Sequence, residues 1–243
     1  IVGLGLNLEK GVKLKKKDEK NIKIINEKSF ISSCRDPWTF DFLKKLGIKS
    51  YLTGCPTTFL ADFYQLPKTK KYDLGINICL HHTAWYQKNA PKIISFVQNV
   101  LLKLEGEKVF IGHCQEEKRL WEKIFDKSLC FFYSINPEKV FEIYAQTKIV
   151  IGMRSHSQIF SLAVGTPSLA IDSNEKALQP VKMVWPRSEE LIISLDDNLK
   201  TVISKVQYVI SHYQKIKKKQ KELKKKLYKN FTFVIKKIKK KIE

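Results

Sequence analysis

Arg154 and His156 stand one residue apart, directly behind the β-branched run Ile149-Val150-Ile151-Gly152. A guanidinium can grip a phosphate or carboxylate through two bonds, and an imidazole can move a proton near neutral pH. The pair therefore suits binding an anionic substrate and acid–base work on it. Three further groups could serve the same end. Arg35 ends the run Ser32-Ser33-Cys34, Lys176 follows His156 by twenty residues, and His113 follows Val109-Phe110-Ile111-Gly112. The adjacent Asp36 precedes Pro37 and reads as a helix cap. His81-His82 lacks a third ligand nearby, so no metal is expected, and no cofactor is implied.

The elements around these residues alternate in type. Residues 149–152 read as a strand, the apolar stretch 160–164 as a helix closed by Gly165 and Pro167, and 168–171 as the next strand. Such a unit places Arg154 and His156 at a strand's carboxyl end and a helix's first turn, where anions bind in open α/β sheets. Further strands are expected at 74–80, 109–112 and 130–133, with helices opened by Pro91, Glu116 and Pro137. The fold class is α/β. The organisation expected is a truncated first domain over 1–67, a linker at 68–71, a second Rossmann-like domain over 72–186, and an amphipathic, lysine-rich helical extension over 187–243. The first domain is read as cut because Ile1 opens straight into an apolar run.

Charge carries less information. The 243 residues bear a formal net charge of +21, yet only four of the 45 basic residues are arginine. Lysine excess concentrated in 10–23 and beyond 215 reads as compositional drift, so nucleic acid is not an expected partner. The lysines of the tail read as a solvated face, with contact to anionic lipid as the alternative, and deletion of 217–243 is expected to spare the chemistry. Five cysteines without C-x-x-C spacing read as buried free thiols in a reducing cytoplasm, and no run of apolar residues is long enough to span a membrane.

Together the motifs S-C-R-D (33–36), L-G-I (46–48), G-C-P (54–56), I-G-M-R-S-H (151–156) and Lys176, behind the glycine-rich Gly3-Leu4-Gly5-Leu6-Asn7, resemble the polysaccharide pyruvyl transferase family. Ser155 stands where that family has leucine or a similar residue, and its G-N-x-G-D region is missing. The resemblance implies a GT-B-like pair of Rossmann-like domains and a cytoplasmic enzyme of exopolysaccharide and cell-envelope biosynthesis, free in the cytoplasm or peripheral to the inner face of the membrane. It would move pyruvate from phosphoenolpyruvate onto a sugar hydroxyl pair as a ketal. Arg35, Arg154 and Lys176 would hold phosphoenolpyruvate, His156 would be the acid–base group, His113 would line the cleft, and Cys55 would shape a turn. Two other readings compete. One is a GT-B glycosyltransferase using a nucleotide-sugar, disfavoured by the absence of an acid in 157–162. The other is a non-catalytic binder of nucleic acid or an anionic surface.

Overall fold

The computed structural model describes residues 4–5, 14–80, 84–125, 129–185 and 188–243. Two parallel sheets organise it. The smaller joins β1 (Ser33–Cys34) to β2 (Tyr51–Leu52), with Leu4 bridged in parallel to Cys34. Helix α1 (Lys16–Glu27) lies between Leu4 and β1, and α2 (Pro37–Lys45) between β1 and β2. Asp36 caps α2, accepting the Thr39 N–H at 2.7 Å, and Pro37 occupies the first turn. The cap expected of Asp36 is therefore present.

The larger sheet has six strands: β3 (Tyr72–Asn77), β4 (Lys108–Ile111), β5 (Cys130–Phe132), β6 (Thr147–Gly152), β7 (Ser168–Ile171) and β8 (Ile192–Ile193). Their order is β5-β4-β3-β6-β7-β8, all parallel. The chain runs outward from β3 to β5, then returns to β6 on the other side of β3. Topology thus reverses between β3 and β6, the crevice where open α/β sheets take ligands. Helices on both faces bury the sheet, which explains its near-continuous apolar strands. The two-residue period sorts them: Ile149 and Ile151 join the core with Ile76, Phe110 and Leu169, while Val150 packs opposite with Val109, Ile111 and Tyr144.

The crossovers are α4 (Ala84–Asn99), α5 (Gln115–Ile124), α6 (Pro137–Ala145), α7 (Ser155–Val164) and α8 (Glu175–Val184), with α3 (Thr57–Leu60) in the first unit. Helix α4 begins before the expected Pro91, which lies inside it. Gly165 closes α7 in the left-handed conformation (φ 72°), as a C-terminal glycine should.

Four sequence expectations change. The sheet continues past residue 186, because β8 pairs with β7 through Ala170↔Ile192 and Ile171↔Ile193. The extension is two helices, α9 (Leu199–Ser211) and α10 (Tyr213–Ile242). Helix α10 is also no loose tail: Ile216, Gln220, Leu227 and Val234 are buried along it. It leaves the larger sheet's unit, where Gln220 donates to Thr166 O at 3.0 Å, and crosses to the smaller one, where Asn230 donates to Leu52 O at 2.8 Å. Phe59 meets Tyr228 and Phe231 on the way. The cysteines divide too: Cys34 and Cys79 are buried, Cys55 and Cys114 partly so, and Cys130 is exposed. Among the described residues no helix is long and apolar enough to cross a membrane.

Candidate active site

The carboxyl ends of β3, β4 and β6 are tied by a residue the sequence did not single out. Asn77, fully buried, donates its side-chain N–H to Ile111 O at 2.8 Å and accepts the Arg154 N–H at 3.3 Å. Its own carbonyl accepts the Met153 N–H at 2.9 Å. One amide thus fixes where Arg154 leaves the sheet. Gly152 is obligatory at that exit, since a Cβ there would lie 2.7 Å from the Ser157 Cβ and closer still to its hydroxyl. Arg154 then serves as the extended N-cap of α7, and Ser155 and His156 form its first turn.

The expected site residues fall around two neighbouring spaces. Arg35, Ser155 and Lys176 line a tight cavity together with Cys55, Gly54 and Leu227. It encloses only about 10 Å³, room for no more than a water. On the other flank of α7, His113, Arg154 and His156 line an open cleft of about 570 Å³ with Thr57, Tyr133 and Phe160. Arg154 links the two electrostatically. Burial, then the charges of Arg35 and Arg154, hold the Lys176 ammonium below its usual value, with Asp36 partly offsetting them. Three cations from separate segments thus share one region, although Arg35 and His156 open onto different spaces. Cys55 contacts the Thr57 hydroxyl at 3.5 Å, in keeping with a turn role.

His156 is exposed and lies against Phe160, ring centroids 6.0 Å apart and 29° from parallel. His113 lies edge-on to it at 6.4 Å. The His113 Nε2 meets the Tyr144 hydroxyl at 2.8 Å, inside the wall of the cleft. Burial, then the Arg154 and His156 charges, hold its imidazole well below the usual 6.5, so it is neutral at physiological pH. Below about pH 6.5 the unfolded chain takes up this proton before the folded one does, so folding weakens as the pH falls. Between about pH 7.5 and pH 5, His113→Phe should lose less denaturant resistance than the parent chain. Equal losses in urea titrations at both pH values would refute it.

The largest omission from the sequence reading is Glu117. It is 1% exposed, and its Oε1 lies 2.8 Å from Arg154 Nε. The Nε–H is turned off that line, so charge more than a linear hydrogen bond holds the pair. Its Oε2 accepts the His113 backbone N–H at 2.6 Å. Burial is the largest influence and works against the Arg154 charge, but Glu117 together with Cys79 and Cys114 outweighs it and raises the guanidinium. In sequence Glu117 looks like one more acid in a helix's first turn. Among the described residues no cluster of three or more metal-ligating side chains occurs, and His81-His82 lies outside them.

The sequence profile of the polysaccharide pyruvyl transferase family matches residues 1–175. The chain belongs to that family. Similar solved structures agree on architecture. Sucrose-phosphate synthase from Thermosynechococcus elongatus superposes with a TM-score of 0.58 at 13% identity, covering 94% of this chain and 62% of that one. TarM gives 0.52 at 14% identity, covering 92% and 46%. At such identities the likeness shows the fold alone, and that fold is GT-B. This pyruvyl transferase family member spans about three fifths of the synthase's length. No curated protein matches it by sequence.

Proposed function

We propose that the chain carries the catalytic face of an enzyme that transfers pyruvate from phosphoenolpyruvate to a sugar of a cell-surface polysaccharide or its precursor, as a ketal. The observation that carries this reading is the meeting of Arg35, Arg154 and Lys176 around the first turn of α7, within a family member. Phosphoenolpyruvate presents a phosphate and a carboxylate, so it needs several cations from different directions. The helix's amide end adds a fixed partial positive charge.

The chemistry asks for one added proton and two sugar hydroxyls. Protonation of the methylene carbon makes a methyl group and leaves the adjacent carbon electron-poor. One hydroxyl oxygen bonds to that carbon as its proton departs. The carbon–oxygen bond to phosphate then breaks, and the second hydroxyl closes the ketal ring. His156, at the rim of the cleft, would deliver and collect those protons. Arg154 and Lys176 would balance the charge of the departing phosphate. The domain division, a smaller unit over 1–67 and a larger one from 72 onward, belongs to the same proposal. So does a cytoplasmic location in which the outward lysines of α10 (Lys218, Lys221, Lys225, Lys229 and Lys236) touch anionic lipid.

Calorimetric titration of the chain with phosphoenolpyruvate tests the donor. Saturable binding that Arg154→Ala weakens supports it. Binding of a nucleotide-sugar with none of phosphoenolpyruvate would transfer the assignment to a glycosyltransferase.

A further inference from the structure

A buried carboxylate must be matched by positive charge and hydrogen bonds, or its ionised form is too costly to keep. Glu117 satisfies that requirement with groups from two loops. One oxygen meets Arg154, at the end of β6; the other takes the backbone N–H of His113, beyond the end of β4. Strands β4 and β6 flank β3 on either side. Arg154 and His113 both line the open cleft, and the ring of His113 is anchored beyond it on Tyr144. The guanidinium is held from its other end as well, with Nη2 donating to Cys79 Sγ at 3.5 Å.

We propose that Glu117 is a positioning residue for the anion site: it braces the β4 and β6 loops across the mouth of β3 and fixes the direction of the Arg154 guanidinium. Its carboxylate is buried, so it reaches the cleft through these partners and not by touching a ligand itself. An arginine on an unbraced loop would sample many rotamers and lose part of its attraction for an anion in ordering itself. The brace removes that loss in advance. It also lowers the net charge beside the cleft, so Arg154 contributes direction more than bare charge. The proposal rests on phosphoenolpyruvate as donor only for its binding consequence.

Two measurements on the full chain decide it. The first needs no ligand: the Arg154 Nε–H resonance, assigned by its disappearance in Arg154→Lys, should show by nitrogen relaxation an ordered side chain that becomes mobile in Glu117→Gln. The second is a cycle of phosphoenolpyruvate affinities. Glu117→Gln should weaken binding about tenfold, the scale of one impaired charge-assisted contact. Glu117→Gln combined with Arg154→Met should bind no worse than Arg154→Met alone, because Glu117 acts through Arg154. Glu117→Asp, which keeps the charge on a shorter stem, should recover part of the order. Unchanged Nε relaxation in a folded Glu117→Gln chain overturns the brace, as do additive losses in the cycle. If the parent chain takes up no phosphoenolpyruvate, the donor assignment fails and the relaxation measurement still judges the brace.

Discussion

His156→Gln should lower the turnover rate of phosphoenolpyruvate-dependent ketal formation about 10²–10⁴-fold while leaving the Michaelis constant for phosphoenolpyruvate near its original value. His156 is exposed at the edge of a cleft, with Phe160 behind its ring and His113 beside it. Of the two histidines lining the cleft, His113 is the buried one, bonded to Tyr144 and held neutral, and His156 is the exposed one. Glutamine keeps the polar bulk and removes the titrating nitrogen. Arg154→Ala should behave differently, raising the Michaelis constant as well, since it strips a cation from the anion site. Arg154→Lys should not restore it, because an ammonium offers no Nε for Glu117 and no fork for an anion. Steady-state kinetics with circular dichroism to confirm folding separates the two residues. Equal rises in the Michaelis constant at unchanged turnover would make His156 a binding residue only.

Removing residues 217–243 should unfold the smaller unit. The sequence reading treated this segment as dispensable, since lysine dominates it and no acid–base group stands out. The structure buries Leu227 and Val234 fully, seats Leu227 within 2.9 Å of where a Cβ on Gly54 would lie, and engages Lys224 with Ala163 O at 2.8 Å. Each buried leucine or valine contributes roughly 1.5–3 kcal/mol. Adding the half-buried Leu223, Phe231 and Ile238, the loss comes to about 5 kcal/mol or more, a large share of the stability of an ordinary domain. Thermal melts should show a fall of roughly 10 °C or more, or a lost transition. A truncated chain melting with the parent would mean that α10 merely rests on the surface.

These outcomes show where a linear reading succeeds. The strand–turn–helix at 149–164 was legible because strand and helix periods change sharply at Gly152, with Gly165 and Pro167 marking the end. The parallel sheet followed from repeating that pattern. Strand β8 was not legible: two isoleucines make no periodic signal. The start of α4 was misread because Pro91 looks like a first-turn proline, though the helix runs on before it. Glu117 was invisible for a deeper reason. A glutamate early in a helix is ordinarily a solvated partner of the helix dipole, and only tertiary packing shows that this one is sealed against Arg154. The α10 stripe was seen, but what it packs on could not be.

The chain passes between the two units twice, once through the short 68–71 segment and once along α10. Lys70 is clamped at the first passage by Ala145 O and Thr147 O, at 2.7 and 2.9 Å. Between those passages the units are also packed together, with Ala61 buried against Phe141 and Ala163, and the Trp38 N–H donating to Gln179 Oε1 at 3.3 Å. Arg35 belongs to one unit and Lys176 to the other, across a gap with room for no more than a water. The seam between the units is therefore also a seam between two like charges. They repel across it, and an anion lodged there would turn that repulsion into a bond between the units.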